Sequence, residues 1–106
     1  MSEDIILVTV ERRLARLTSK FLAHCSRSVG ELRVAVDSGD IAAARRIGHS
    51  LSGTAGSYRF EAVAAIGVAI EDAIDAGDAA ALGALTSQLE RYLARVQLVF
   101  EDAGAR

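Results

Sequence analysis

Proline and tryptophan are absent from this chain, cysteine occurs once, and aromatic residues make up only 5% of it. Without proline, no helix interior is interrupted by a missing N–H or a locked φ. So few aromatics, set against abundant alanine, make a composition suited to helices rather than sheets. The lone Cys25 can close no internal disulfide and belongs to no Cys-x-x-Cys pair, which fits a reducing, cytoplasmic setting. An excess of charge is missing too. Twelve Lys and Arg stand against fourteen Asp and Glu, a net charge of −2 with no block of one sign. That balance argues against a nucleic-acid binder and against a helix lying on a membrane surface. The apolar stretch Ile5-Ile6-Leu7-Val8 is too short to span a bilayer or to act as a signal segment.

What is present is apolar periodicity. At 106 residues and 51% hydrophobic, the chain is expected to form one domain over 1–106 with a core of its own. From Val10, apolar residues recur at Leu14, Leu17, Phe21, Cys25, Val29, Leu32 and Val36, in steps of three and four. A bend near Thr18-Ser19, where the pair could cap a second helix, leaves room for an extra N-terminal helix. A second stripe runs Ile41, Ala44, Ile47 or Gly48, Leu51 and Ala55; a third runs Phe60, Val63, Gly67, Ile70 and Ile74. The last runs Leu82, Leu85, Leu89, Tyr92 or Leu93, Val96 and Val99, close to a heptad seam. Asp37-Ser38-Gly39-Asp40 and Asp75-Ala76-Gly77-Asp78 are near copies. Each offers glycine as a left-handed cap and aspartate as the next N-cap. They read as the same turn chemistry used twice, since two units are too few for a helical repeat array. The expected fold is all-α: an antiparallel up-and-down four-helix bundle with short connections.

The chemistry concentrates in His49-Ser50-Leu51-Ser52-Gly53-Thr54-Ala55-Gly56. Residues at i, i+3 and i+4 share a helix face, so His49, Ser52 and Gly53 form one surface and Gly56 extends it by a turn. Glycine inside a helix costs about 1 kcal/mol relative to alanine, and access to the imidazole by a second protein would explain that cost. No histidine or cysteine lies three or four residues from His49, and His24 falls on another helix, so no metal site is expected. A serine hydrolase is poorly supported, because Ser50 and His49 are adjacent and no strand–turn–helix elbow exposes a nucleophile. The remaining chemistry is His49 as a nucleophile, one ring nitrogen attacking while the other donates to an orienting acceptor. Glu71, at the edge of the third stripe, is the candidate acceptor; alone it would read as a solvated acid beside Asp72 and Asp75.

These residues resemble the histidine-containing phosphotransfer (HPt) domain of bacterial two-component phosphorelays. The resemblance covers about 21–99. The family pattern His-x-Leu-Lys-Gly is matched by His49-Ser50-Leu51-Ser52-Gly53, and Gly39-Asp40 and Ile70-Glu71 fall where the family has Gly-Asp and Leu-Glu. In some members a glutamate 22 residues after the histidine orients the imidazole, which here is Glu71. Ser52 replaces the family lysine, and Arg59 stands where glycine is usual. The resemblance implies that His49 accepts a phosphoryl group from the aspartyl phosphate of a receiver domain and passes it to another receiver. Ser52, Gly53 and Gly56 would face phosphate and partner, Arg45, Arg46 or Arg59 would supply the missing cation, and Tyr58 would help exclude water. It further implies no cofactor on this chain, Mg²⁺ on the partner receiver, no kinase activity of its own, and response-regulator receivers and a hybrid histidine kinase as partners. A monomer is expected. The alternative is a binding module that docks a receiver or kinase without being phosphorylated, motivated by the replaced lysine and glycine.

Overall fold

In the computed structural model, which describes residues 4–102, four helices carry most of the chain. They are α1 (Ala15–Ser38), α2 (Ile41–Ser57), α3 (Glu61–Asp75) and α4 (Ala79–Arg95). Two strands flank them, β1 (Ile6–Glu11) and β2 (Val96–Glu101), with a single 3-10 turn at Arg12–Leu14 leading into α1.

The turns follow from their residues. Gly39 and Gly77 take left-handed φ values of 75° and 66°, a region costly to any residue with a Cβ. Asp40 and Asp78 then cap the following helices, accepting from the Ala43 and Ala81 backbone N–H at 3.1 and 3.0 Å. The duplicated sequence is one turn solution used twice. Between α2 and α3 no such glycine is available, and Arg59 itself takes φ 65°.

The core is drawn from all four helices, with Phe21, Leu32, Leu51, Phe60, Ile70 and Leu89 among its largest buried members. Thr86 is fully buried within it, its hydroxyl satisfied by the Leu82 carbonyl at 2.8 Å. Arg33 on α1 grips Glu90 on α4 through both carboxylate oxygens at 3.2 and 3.0 Å and reaches Ser87 at 2.9 Å. That hydrogen bond, more than the charge alone, holds the Glu90 carboxyl below its usual range.

The ends of the chain depart from the sequence expectation. Among the described residues no extra N-terminal helix forms: Val10 lies in β1, and α1 passes unbroken through Thr18-Ser19. Thr18 is buried and donates back to the Leu14 carbonyl at 2.9 Å, so its hydroxyl serves the same helix instead of capping another. At the other end α4 stops at Arg95, and Val96 turns extended at ψ 137°. Val96 and Val99 fit a helical seam, but Val96, Leu98 and Phe100 equally fit a period of two. The presence of a partner strand decides. β1 and β2 pair in parallel with Ile6 opposite Val96 and Glu11 opposite Glu101, so the helical fold carries a small sheet. Ile6, Val8, Val10, Val96, Leu98 and Phe100 are half-buried, alternating with the exposed Leu7, Thr9, Gln97 and Val99. Ile41 also differs: at the first turn of α2 it is exposed rather than part of the core face.

Candidate functional site

The pairing of α2 with α3 positions the site. Gly48 and Gly67 face each other where these helices meet. A Cβ on Gly67 would lie 2.8 Å from both the Gly48 carbonyl oxygen and the Ser52 backbone nitrogen; one on Gly48 would lie 2.9 Å from Ile70 Cγ2. Backbone therefore packs against backbone, closer than any side chain allows. The consequence falls one residue beyond Gly48 and four beyond Gly67: His49 and Glu71 are brought side to side across the crossing.

His49 Nδ1 and Glu71 Oε2 are 3.1 Å apart. The imidazole is 79% exposed and the Glu71 side chain only 25%, so the acid is the anchored partner and the ring the presented one. A carboxylate at Nδ1 favours the tautomer with the proton on that nitrogen. Nε2 has no partner among the described residues and is left as a basic, accessible nitrogen.

The other sequence candidates divide. Ser52 Oγ donates to the His49 backbone carbonyl at 2.8 Å, so its hydroxyl is turned onto its own helix. Gly53 and Gly56 are exposed on the His49 face, and a Cβ at either would meet nothing within 4 Å. Arg45 is drawn to Asp75 at the end of α3, 2.7 Å from its carboxylate. Arg46, three residues before His49 and exposed, forms no ion pair among the described residues. Tyr58 and Arg59 are not brought to His49. They lie about 14 Å farther along the helix axis by helical rise, where Tyr58 stacks on Phe21 at 4.7 Å and both line a groove against β1.

Two contributors were not singled out by the sequence. Asp75, which diverts Arg45, read there only as part of a turn and a local acidic cluster. Val68, next to Gly67 and three residues before Glu71, is 49% exposed and adds an apolar side chain to the same face. Its signal was present in the i, i+3 spacing from Glu71. The lone Cys25 plays no part: it is fully buried, and burial pushes its thiol up to about 11, leaving it protonated and inert. Among the described residues no group of three or more His, Cys, Asp or Glu is arranged to hold a metal ion, and no helix is long and apolar enough to cross a membrane.

An exposed imidazole, oriented by an acid and bordered by glycines, is equipped to exchange a group with a second macromolecule. No curated protein and no solved structure matches the chain at a significant level. The family called Hpt domain, whose members act as histidine phosphotransfer intermediates of two-component phosphorelays rather than as autonomous kinases, matches residues 16–98, and the chain belongs to it.

Proposed function

We propose that this protein is a relay between receiver domains: His49 takes a phosphoryl group from the aspartyl phosphate of one response-regulator receiver and gives it to another. The observation that carries the reading is the exposed His49 ring held through Nδ1 by the half-buried Glu71. Nε2 attacks phosphorus, the acyl-phosphate P–O bond breaks, and the receiver's carboxylate leaves with the electron pair. The ring's remaining proton stays at Nδ1, where the Glu71 carboxylate offsets the positive charge that develops as Nε2 gives up its lone pair. The reverse sequence returns the group to the next receiver.

Such a transfer needs alignment and charge stabilisation more than covalent machinery. Gly53 and Gly56 let the receiver approach closely, Val68 gives it apolar contact, and Arg46 is the cation on hand where the family lysine is replaced by Ser52. On this reading, as the family resemblance implies, the divalent cation is supplied by the receiver's acidic pocket. The reading includes an antiparallel up-and-down course for the four helices, a cytoplasmic location and a hybrid histidine kinase upstream.

Incubation with a receiver charged by acetyl phosphate, followed by an acid-labile phosphate assay, tests the reading. Transfer to the wild type and none to His49→Gln, with helical content unchanged in the variant, is the expected result. Labelling that survives in His49→Gln moves the acceptor elsewhere. Receiver binding with no labelling of the wild type favours the alternative, a docking module that is not phosphorylated, for which the replaced lysine is the motive.

A further inference from the structure

Six of the nine exposed large apolar residues among the described residues lie at the ribbon end of the molecule. Ile5, Leu7 and Val99 are on or beside the strands; Leu14, Leu17 and Tyr58 line the groove that runs along β1. Parallel sheets are ordinarily covered on both faces, and a two-stranded sheet alone is marginal in water. Here each strand has one partner, so the outer edges of β1 and β2 present unpaired backbone groups among the described residues. The ribbon is apolar, parallel and unfinished.

The sequence of β1 says what would finish it. Set antiparallel to a second copy about a two-fold axis at Val8, β1 pairs Val8 with Val8, Ile6 with Val10 and Leu7 with Thr9. Half-buried residues then meet half-buried ones and exposed residues meet exposed ones, as the pleat requires. Continuing the register outward sets Ile5 of each copy opposite Glu11 of the other and then, just beyond the ends of β1, Asp4 opposite Arg12, the first residue of the 3-10 turn. The Asp4 carboxylate has no partner among the described residues. Arg12 is held by Asp102, in a pair 62% and 68% exposed, and by a long 3.4 Å contact from Nη2 to the Phe100 carbonyl, exposed interactions that compete weakly.

We infer that β1 is the self-association edge of a two-fold dimer, which builds a four-stranded sheet in the order β2-β1-β1-β2. The partner is a second copy of this chain, because the edge is complementary to itself in apolar pattern and in charge. The dimer departs from the monomer expected from the sequence. Its strands lie apart from His49 and Glu71, neither of which lines the β1 groove, so each copy keeps its own site.

The test is sedimentation equilibrium of the full 106-residue chain across a concentration series, with circular dichroism to confirm folding. A dimer is expected. Asp4→Arg changes an exposed side chain and keeps the backbone carbonyl that accepts from Arg95 Nε at 2.7 Å; it should weaken the dimer about tenfold by facing two cations across each end of the pair. Arg12→Asp should do the same, and Asp4→Arg combined with Arg12→Asp should restore association. A chain that remains monomeric at millimolar concentration overturns the inference. So does a dimer whose affinity is indifferent to both single reversals, since its interface lies elsewhere.

Discussion

Helix α2 carries glycines of two kinds, and they do opposite things. Gly48 turns inward and, with Gly67 of α3, lets two backbones touch. Gly53 and Gly56, one and two turns later, face open space. All weaken the helix by a similar intrinsic amount. The inward pair recovers that loss in close packing within the protein, whereas the outward pair recovers nothing until a partner arrives. A glycine is thus informative about function only once its neighbours are known.

The contrast can be broken from either side. Gly67→Ala should have the largest effect, because the added methyl meets backbone atoms at 2.8 Å that cannot rotate away. Forcing α2 and α3 apart should cost about 1–3 kcal/mol, the scale of overpacking. It should also lengthen the His49–Glu71 contact and slow phosphoryl acceptance. Chemical denaturation and the transfer assay read both, and an unchanged stability would show that the crossing is loose. Glu71→Ala separates orientation from packing, because it leaves the helix crossing intact. Acceptance should slow by roughly 10- to 100-fold, the scale of losing an orienting partner, and ¹⁵N shifts of the ring should show the Nδ1–H tautomer losing its dominance. Glu71→Gln should be milder, since its amide oxygen still accepts the bond. Gly53→Ala should act with the opposite sign to Gly67→Ala, raising stability by up to about 1 kcal/mol. It should slow transfer by crowding the docking face. Faster or equal transfer would mean that the outward glycines serve no partner.

The smallest effect belongs to a part of the fold that neither glycine pair touches. Glu90 is held ionised by Arg33, so its folded pKa lies below the unfolded one. Its contribution is present above the unfolded carboxylate value and lost as pH falls through the folded value. Both partners are partly exposed, at 30% and 40%, so solvent screening limits the effect to about 1 kcal/mol or less. Glu90→Gln should flatten the acid limb of a stability–pH curve by that amount and leave Gly67→Ala additive with it.

The features legible in the sequence were those set by short range. The turns at Gly39-Asp40 and Gly77-Asp78, the buried stripes of α2 and α3 and the i, i+4 relation of His49 and Gly53 depend only on neighbours. The contact of Glu71 with His49 was legible from its place at the edge of the third stripe, together with the 22-residue spacing shared with a family. What was not legible depends on partners distant in the chain. Val96 and Val99 suit a helix seam as well as a strand, and only β1, far away in sequence, decides between them. The diversion of Arg45 by Asp75 belongs to the same class, a rotamer choice made after α2 and α3 have met; the turning of Ser52 onto the His49 carbonyl is local, one of the rotamers open to a serine on a helix.

The parallel ribbon has a consequence for the order of assembly. Ile6 pairs with Val96, so closing β1 on β2 joins segments 90 positions apart, whereas each pair of successive helices is joined across a few residues. Loop closure over that distance gains nothing until the intervening helices have collapsed and brought the ends together. The ribbon is therefore expected to be the last element to form and the first to open. Its backbone amides should exchange with deuterium through local opening, well before those of Leu51, Ile70 and Leu89 at the centre of the core. The His49–Glu71 pair, whose helices follow one another in the chain, should on the same argument assemble before the ends of the molecule find each other.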